Sequence, residues 1–155
     1  MEALAQLLTR ERLLVELLVF KLVEMRQLLL AGETRFLGWA GEEVDRAAGT
    51  VRDAELERAL LVSELCAARG IEEATLGELV ADAPEPWRSL LEDAHLALRA
   101  GATEIGDLLQ TNRRLAEAGA RSIAETMGEE RQPLSTYGPT GRADASAARR
   151  YEQVL

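Results

Sequence analysis

The chain has 155 residues, of which 47% are apolar and only 4% aromatic, and its formal net charge is −9. A chain of this length can bury one core, and a core short of aromatic side chains must be filled by Leu, Val and Ala, which favours packed helices over a sheet. The acidic excess lies on residues 1–128. Such a body repels phosphates, which argues against nucleic acid and an anionic membrane as partners.

The first predicted element is a long helix from Glu2 to Ala31, ended by Gly32. Apolar residues recur along it in steps of three and four, at Leu4, Leu8, Val15, Leu18, Leu22, Met25 and Leu29. This spacing places one apolar stripe along one side of the helix, and Glu11 interrupts it. A second stripe lies beside the first, so the apolar face is wide enough to contact two neighbours, or one neighbour and a ligand.

The same segment bears on where the protein works. Its start has no basic signal-peptide region, and charged residues interrupt the apolar runs before they could cross a membrane. We therefore expect a cytoplasmic protein without membrane insertion. The single cysteine, Cys66, excludes a disulfide within the chain.

The second predicted helix begins after Thr34, the expected N-cap, and ends at Gly70. Its apolar residues keep the same spacing, although three glycines thin its first half and each costs the helix up to ~1 kcal/mol. A connector follows at residues 71–83. There Thr75 and Glu78 have the spacing of a capping box, which predicts one short helix.

The third long helix is predicted to begin near Pro86 and to end at Gly128, again with apolar residues in steps of three and four. From residue 129 the pattern gives way to Pro, Ser, Gly, Ala and Arg, which is typical of a flexible tail. The sequence therefore predicts an all-α protein, an antiparallel bundle or coiled coil of three long helices with a short connector helix. We expect residues 1–128 to form the helical domain and residues 129–155 a disordered tail.

Little in the sequence suggests catalysis. His95 is the obvious candidate because helical phosphotransfer domains use one exposed His, but those domains usually have a Lys three positions later, where this chain has Leu98. Glu92 and His95 have the spacing of half a ferritin-like metal site, and the second half is missing. Cys66 lies beside apolar positions, which favours a small buried hydrophobe. We predict no enzyme, no cofactor and no metal.

Four residues are better candidates for contacts with a partner. Phe36 and Trp39 lie one helical turn apart, either as a plug at the corner between the first two helices or as an anchor in a groove that holds a partner helix. Asn112 replaces an apolar residue of the third helix, and it either fixes the helix register or marks where the bundle opens toward a ligand. Tyr137 is either an accidental aromatic of the tail or part of a short motif that another protein recognises.

Four segments of the chain, taken in order, resemble FlgN-type flagellar export chaperones in their actinobacterial form. They are the run LLVELLVFKLVE at 13–24, the run PEPWRSLLED at 84–93, the run TNRRL at 111–115 and the Tyr-Gly pair at 137–138. The third segment matches the family's Asn-x-x-Leu region. The family often has a second Asn three residues before the first, and this chain has Leu109 there. The resemblance covers residues 4–142.

This resemblance implies an antiparallel helical chaperone in the cytoplasm. Such proteins bind hook–filament junction proteins through a C-terminal helical segment of the client and deliver them to the flagellar type III export gate. An apolar groove would cover the client segment, and the acidic exterior would keep the complex in solution. The candidate partner-binding residues are Phe36, Trp39, Ile105, Leu108, Asn112, Leu115 and Tyr137. Two alternatives remain, a structural coiled-coil homodimer or adaptor without export cargo, and a phosphotransfer bundle that uses His95.

Overall fold

The computed structural model describes residues 1–71 and 74–130. Within them the chain forms helices and no strand: α1 (Glu2–Ala31), α2 (Leu37–Ala68), α3 (Leu76–Ala81) and α4 (Trp87–Glu130). The all-α class, with three long helices and one short connecting helix, is therefore confirmed. The chain divides into two compact units, Met1–Ala116 and Glu117–Leu155. Most of the predicted tail lies outside the described residues.

A sharp reversal joins α1 to α2. Gly32 ends α1 with φ at 69°, a left-handed backbone that glycine adopts without strain. The Glu33 N–H donates to the Leu28 carbonyl at 3.0 Å, which satisfies one of the free carbonyls at the helix end. Two ion pairs that link the helices, Lys21 with Glu43 and Arg10 with Glu57, show that α2 runs antiparallel to α1.

The predicted N-cap of the second helix is wrong. Thr34 begins a short 3₁₀ turn, Thr34–Phe36, and α2 starts only at Leu37, without a side-chain cap. The reason is local, because the Thr34 N–H donates to the Gly32 carbonyl at 2.9 Å and the residue is held in the reversal itself. The end of α2 agrees with the sequence, since Gly70 has φ at 68° just beyond the last helical residues.

The connector helix α3 begins as the sequence predicts. The Thr75 hydroxyl accepts from the Glu78 N–H at 3.3 Å, and the Glu78 carboxylate accepts from the Thr75 N–H at 2.7 Å, which together complete a capping box. The pKa of Glu78 is lowered below its usual 4.5. The main cause is the hydrogen bond from the Thr75 N–H, and a hydrogen bond from the Thr75 hydroxyl adds to it.

Two apolar clusters form the core of the first unit. The first joins the start of α1 to the connector and to the start of α4, and contains Leu4, Ala5, Leu8, Val80, Ala83 and Leu91. The second joins the middle of all three long helices, and contains Val15, Leu18, Leu22, Ala47, Val51 and Leu108. Both clusters include α1, so this helix is the central element of the unit.

The glycines of α4 do not end the helix, although the sequence predicts that Gly128 does. Gly128 keeps a helical backbone and α4 continues to Glu130, so the predicted end at Gly128 is wrong. Among the described glycines only Gly32 and Gly70 have the positive φ that ends a helix. Gly101 lies instead at the contact with α1, where an added Cβ would overlap the Val15 Cγ1 methyl.

The second unit is described over Glu117–Glu130, where the chain is helical. Its side chains from 117 to 128 are exposed, including the two large apolar ones, Ile123 and Met127.

Candidate functional site

The most exposed aromatic side chain of the described residues lies at the α1–α2 reversal. Trp39, in the first turn of α2, is 69% exposed, while Phe36, at the end of the 3₁₀ turn, is half-buried. Their ring centres are 5.9 Å apart with the planes tilted by 36°. The Arg35 guanidinium lies 4.3 Å from the Phe36 ring centre, a cation–π contact. Trp39 does not seal the corner between the helices, as a plug would.

These two aromatic residues line an open groove of about 430 Å³ between α1 and α2. One wall comes from the last turns of α1 and the other from the start of α2, and the lining residues are Glu24, Gln27, Leu28, Phe36, Trp39, Ala40 and Glu43. The groove thus has an apolar floor with two carboxylates at its edge. An apolar side chain of a partner helix would fit such a groove.

Lys21 connects the two carboxylates at this edge. Its Nζ lies 2.8 Å from a carboxylate oxygen of Glu24 and 2.8 Å from one of Glu43. Both hydrogen bonds raise the pKa of Lys21, and the one to Glu24 has the larger effect. The hydrogen bond from Lys21 in turn lowers the pKa of Glu43. The cluster therefore ties α1 to α2 beside the groove and leaves its edge acidic.

The α4 candidates lie elsewhere. Leu108 and Asn112 are buried, and Ile105 and Leu115 are half-buried. Leu108 belongs to the second core cluster and Ile105 packs against it. None of these residues lines the groove of Phe36 and Trp39. Client binding by the α4 positions stays a prediction, and as the chain is folded Leu108 and Asn112 are covered by its own helices.

Asn112 holds α4 against α1. Its side-chain Nδ2 donates to the Leu22 carbonyl at 2.9 Å, and its Oδ1 is buried without a hydrogen-bond partner. A buried amide that meets one backbone carbonyl of the neighbouring helix fixes the register of the two helices. The geometry favours this interpretation over an opening of the bundle at Asn112.

The sequence did not reveal the role of Glu11, which breaks the apolar stripe of α1. The side chain is buried, and its Oε2 lies 3.0 Å from the Arg58 Nε of α2, although neither atom completes a hydrogen bond. Burial raises the pKa of Glu11, and the nearby Arg58 only partly offsets this. The interruption of the apolar stripe was the signal in the sequence that Glu11 has a special role. Its partner Arg58, 47 residues later, could be identified only once the packing of α1 against α2 was known.

The remaining candidates have ordinary surroundings. Cys66 is buried, as predicted for a small hydrophobe. His95 packs against α3, since a Cβ added at Gly77 would lie 3.2 Å from the His95 Cε1. Tyr137 lies outside the described residues. Across residues 1–71 and 74–130 no group of three or more His, Cys, Asp or Glu side chains could hold a metal.

No helix in that part of the chain is long and apolar enough to span a membrane.

Comparison with known families finds a match to the one described as FlgN protein, over residues 1–145. The match covers all four helices. The chain belongs to the FlgN family. This match confirms the resemblance to FlgN-type chaperones found in the sequence. FlgN proteins are flagellar export chaperones that bind hook-associated proteins. Comparison with curated proteins and with solved structures gave no match.

Proposed function

We propose that this FlgN protein binds hook–filament junction proteins in the cytoplasm, through their C-terminal helical segment, and delivers them to the flagellar export gate. Membership of the family supports the class of client. The exposed Trp39 beside an apolar groove is the observation that best supports a site for it. Large aromatic side chains placed in this way are frequent anchors for an apolar partner helix.

The surface that a client helix covers sets the gross energetic gain of such a contact. A client helix that covers ~800 Å² of surface, about half of it apolar, gains on the order of 10 kcal/mol before the costs of ordering are subtracted. Micromolar or tighter binding follows if these costs take no more than a few kcal/mol. The acidic edge of the groove, with Glu24 and Glu43, favours a client segment that carries basic residues beside its apolar stripe.

The α4 positions enter this proposal under one condition. Leu108 and Asn112 are buried against α1, so a client reaches them only if α4 separates from α1. Ile105 and Leu115 are partly accessible and can contribute at the edge of such an opening. The Phe36–Trp39 groove requires no such movement, and for this reason we place the first contact there.

Capture of a purified hook–filament junction protein by the tagged full chain tests the proposal. Trp39→Ala removes the anchor and should weaken capture at least tenfold, about 1.4 kcal/mol, with helix content unchanged because the side chain is exposed. Leu56→Ala is the matched control, since Leu56 is a similarly exposed apolar side chain of α2 outside the groove, and it should leave capture unchanged. Equal capture by the two variants would reject the groove.

Two further experiments test the client segment and the delivery to the gate separately. A client that lacks its C-terminal helical segment should not be captured, and undiminished capture would reject that segment as the ligand. For delivery to the gate, we propose that Tyr137 contacts a gate component. Tyr137→Ala should therefore lower capture of the complex by the gate component while client binding persists. Loss of client binding in this variant would assign Tyr137 to the client instead.

A further inference from the structure

The middle of α1 is apolar on the side that faces away from its partners as well as on the side that faces them. Leu13, Leu17 and Phe20, in steps of four and three, are 61%, 44% and 53% exposed. By contrast, the polar and apolar residues of α4 are well segregated. A helix segment that is apolar on opposite sides is normally covered on both of them. The outer side of α1 therefore requires a cover that the described residues do not provide.

Beyond both ends of this row, the residues at the same spacing are polar. The full row, which we call the outer face, is Gln6, Arg10, Leu13, Leu17, Phe20, Glu24 and Gln27. It has the same order of chemistry in both directions, an amide, a charge, three apolar residues, a charge and an amide. The two charges have opposite signs, so the row is complementary to its own reverse.

We propose that a second copy of this chain covers the outer face, with the two α1 helices antiparallel about a two-fold axis at Leu17. In this register Leu17 contacts Leu17 of the second copy, and Leu13 lies opposite Phe20 of the second copy. Arg10 then lies opposite Glu24 of the second copy. Steps of four and three are those of a coiled-coil seam, and contact of one surface with itself is typical of two-fold dimers.

The charges at the two ends of the row favour the antiparallel orientation of the two α1 helices. A parallel pair would place Arg10 against Arg10 and Glu24 against Glu24, whereas the antiparallel pair places each opposite its complement. Within the chain Arg10 uses one terminal nitrogen to bind Glu57 at 2.7 Å, and its other guanidinium N–H groups remain able to donate. Glu24 accepts from Lys21 through one carboxylate oxygen, so its second oxygen can accept from Arg10 of the second copy. Glu24 also lines the Phe36–Trp39 groove, so in the dimer Glu43 remains as the groove carboxylate that can meet a basic residue of the client.

A groove beside the row extends the surface that a second copy would cover. It has a volume of about 570 Å³ and lies between the first half of α1 and the start of α4, with Leu13, Trp87 and Leu90 among its apolar lining. Phe20 of the second copy, opposite Leu13, would lie at its edge. The row from Gln6 to Gln27 is roughly 32 Å long, enough for three heptads of coiled-coil contact. A client segment would have no reason to match this two-fold pattern.

Sedimentation equilibrium of the full chain tests the proposal. The wild-type chain should sediment at twice its mass of 17.0 kDa, and sedimentation as a single chain at every concentration would overturn the proposal. Leu17→Asp places two carboxylates together on the two-fold axis and should return the protein to a single chain. The control Leu56→Asp changes an exposed leucine of α2 and should remain a dimer. Circular dichroism establishes that both variants keep their helices.

Charge reversal tests the register, and recovery in the double variant separates the interchain pairs from the ion pairs that Arg10 and Glu24 make within the chain. Arg10→Glu and Glu24→Arg, each alone, put like charges opposite one another twice per dimer and should weaken dimerisation about tenfold. The double variant restores both pairs and should recover most of the loss. A double variant that is as weak as the single ones would overturn the proposal. So would a Leu17→Asp chain that remains dimeric yet no longer captures a client, because the outer face would then be a client site.

Discussion

Replacing Gly101 by Ala tests how closely α4 packs against α1. In an exposed helix Gly→Ala is stabilising by up to ~1 kcal/mol, because alanine loses less backbone entropy. At Gly101, however, the new Cβ would overlap the Val15 Cγ1 methyl, which is buried in the second core cluster. Valine is stiff about χ1 and cannot easily move aside, and overpacking of this kind costs about 1–3 kcal/mol. We expect Gly101→Ala to be destabilising by about 1 kcal/mol net.

Gly106→Ala is the matched control for this substitution. Gly106 lies in the same helix, five residues further on, and an added Cβ there would meet no atom within 4 Å. This variant should be stabilised by up to ~1 kcal/mol. The free energies of unfolding, measured by urea titration with circular dichroism, should therefore change in opposite directions. Equal stabilisation of both variants would refute the close packing of α4 on α1.

A double variant sharpens the result. Val15→Ala alone is destabilising because it removes two buried methyl groups, and Gly101→Ala adds one methyl group to the same space. The combined variant should be more stable than the sum of the single effects predicts, by about 0.5–3 kcal/mol. Strict additivity would mean that the two residues do not share this contact.

Four further substitutions, at three positions, test buried and capping groups, each by urea unfolding. Burial raises the pKa of Glu11 above 4.5, so the folded chain binds more protons than the unfolded one as pH rises past that value, and stability falls. Glu11→Gln should match wild type at about pH 4 and exceed it at about pH 7, and equal stability at both would contradict this. Asn112→Leu removes a buried unpaired oxygen and should be stabilising by about 1 kcal/mol, whereas Asn112→Asp buries a carboxylate beside the Leu22 carbonyl and should cost about 3 kcal/mol. A loss with Asn112→Leu would show that the Nδ2 bond outweighs the unpaired oxygen. Thr75→Ala breaks the capping box of α3 and should cost about 1 kcal/mol, and an unchanged stability would mean that α3 does not depend on it.

The helix boundaries that depend on local chemistry could be predicted from the sequence. Gly32 and Gly70 end α1 and α2 because both lie where an apolar pattern stops and a left-handed residue is needed. The capping box of Thr75 and Glu78 is equally local. The apolar pattern also stops at Gly128, yet α4 continues to Glu130, so a glycine at the end of an apolar pattern does not by itself fix the end of a helix.

The accessibility of the candidate site could not be predicted in the same way. The aromatic pair Phe36 and Trp39 was identifiable because Trp39 lies off the apolar seam, and it is exposed. Leu108 and Asn112 lie on the seam, and the sequence cannot tell whether a neighbouring helix of the chain or a foreign one covers them. That depends on the approach of α4 to α1, which the small residue at Gly101 permits.

The most direct measurement of the central claim is the fluorescence of Trp39 during titration with a hook–filament junction protein. The Trp87→Phe variant leaves Trp39 as the single tryptophan, and Trp87 is a partly buried residue of the first cluster that Phe can replace. Binding in the groove should shift the Trp39 emission to shorter wavelength, with saturation at a fixed stoichiometry, because the exposed indole loses contact with water. A client that binds while the Trp39 emission stays unchanged, or a client that does not bind, would contradict the account.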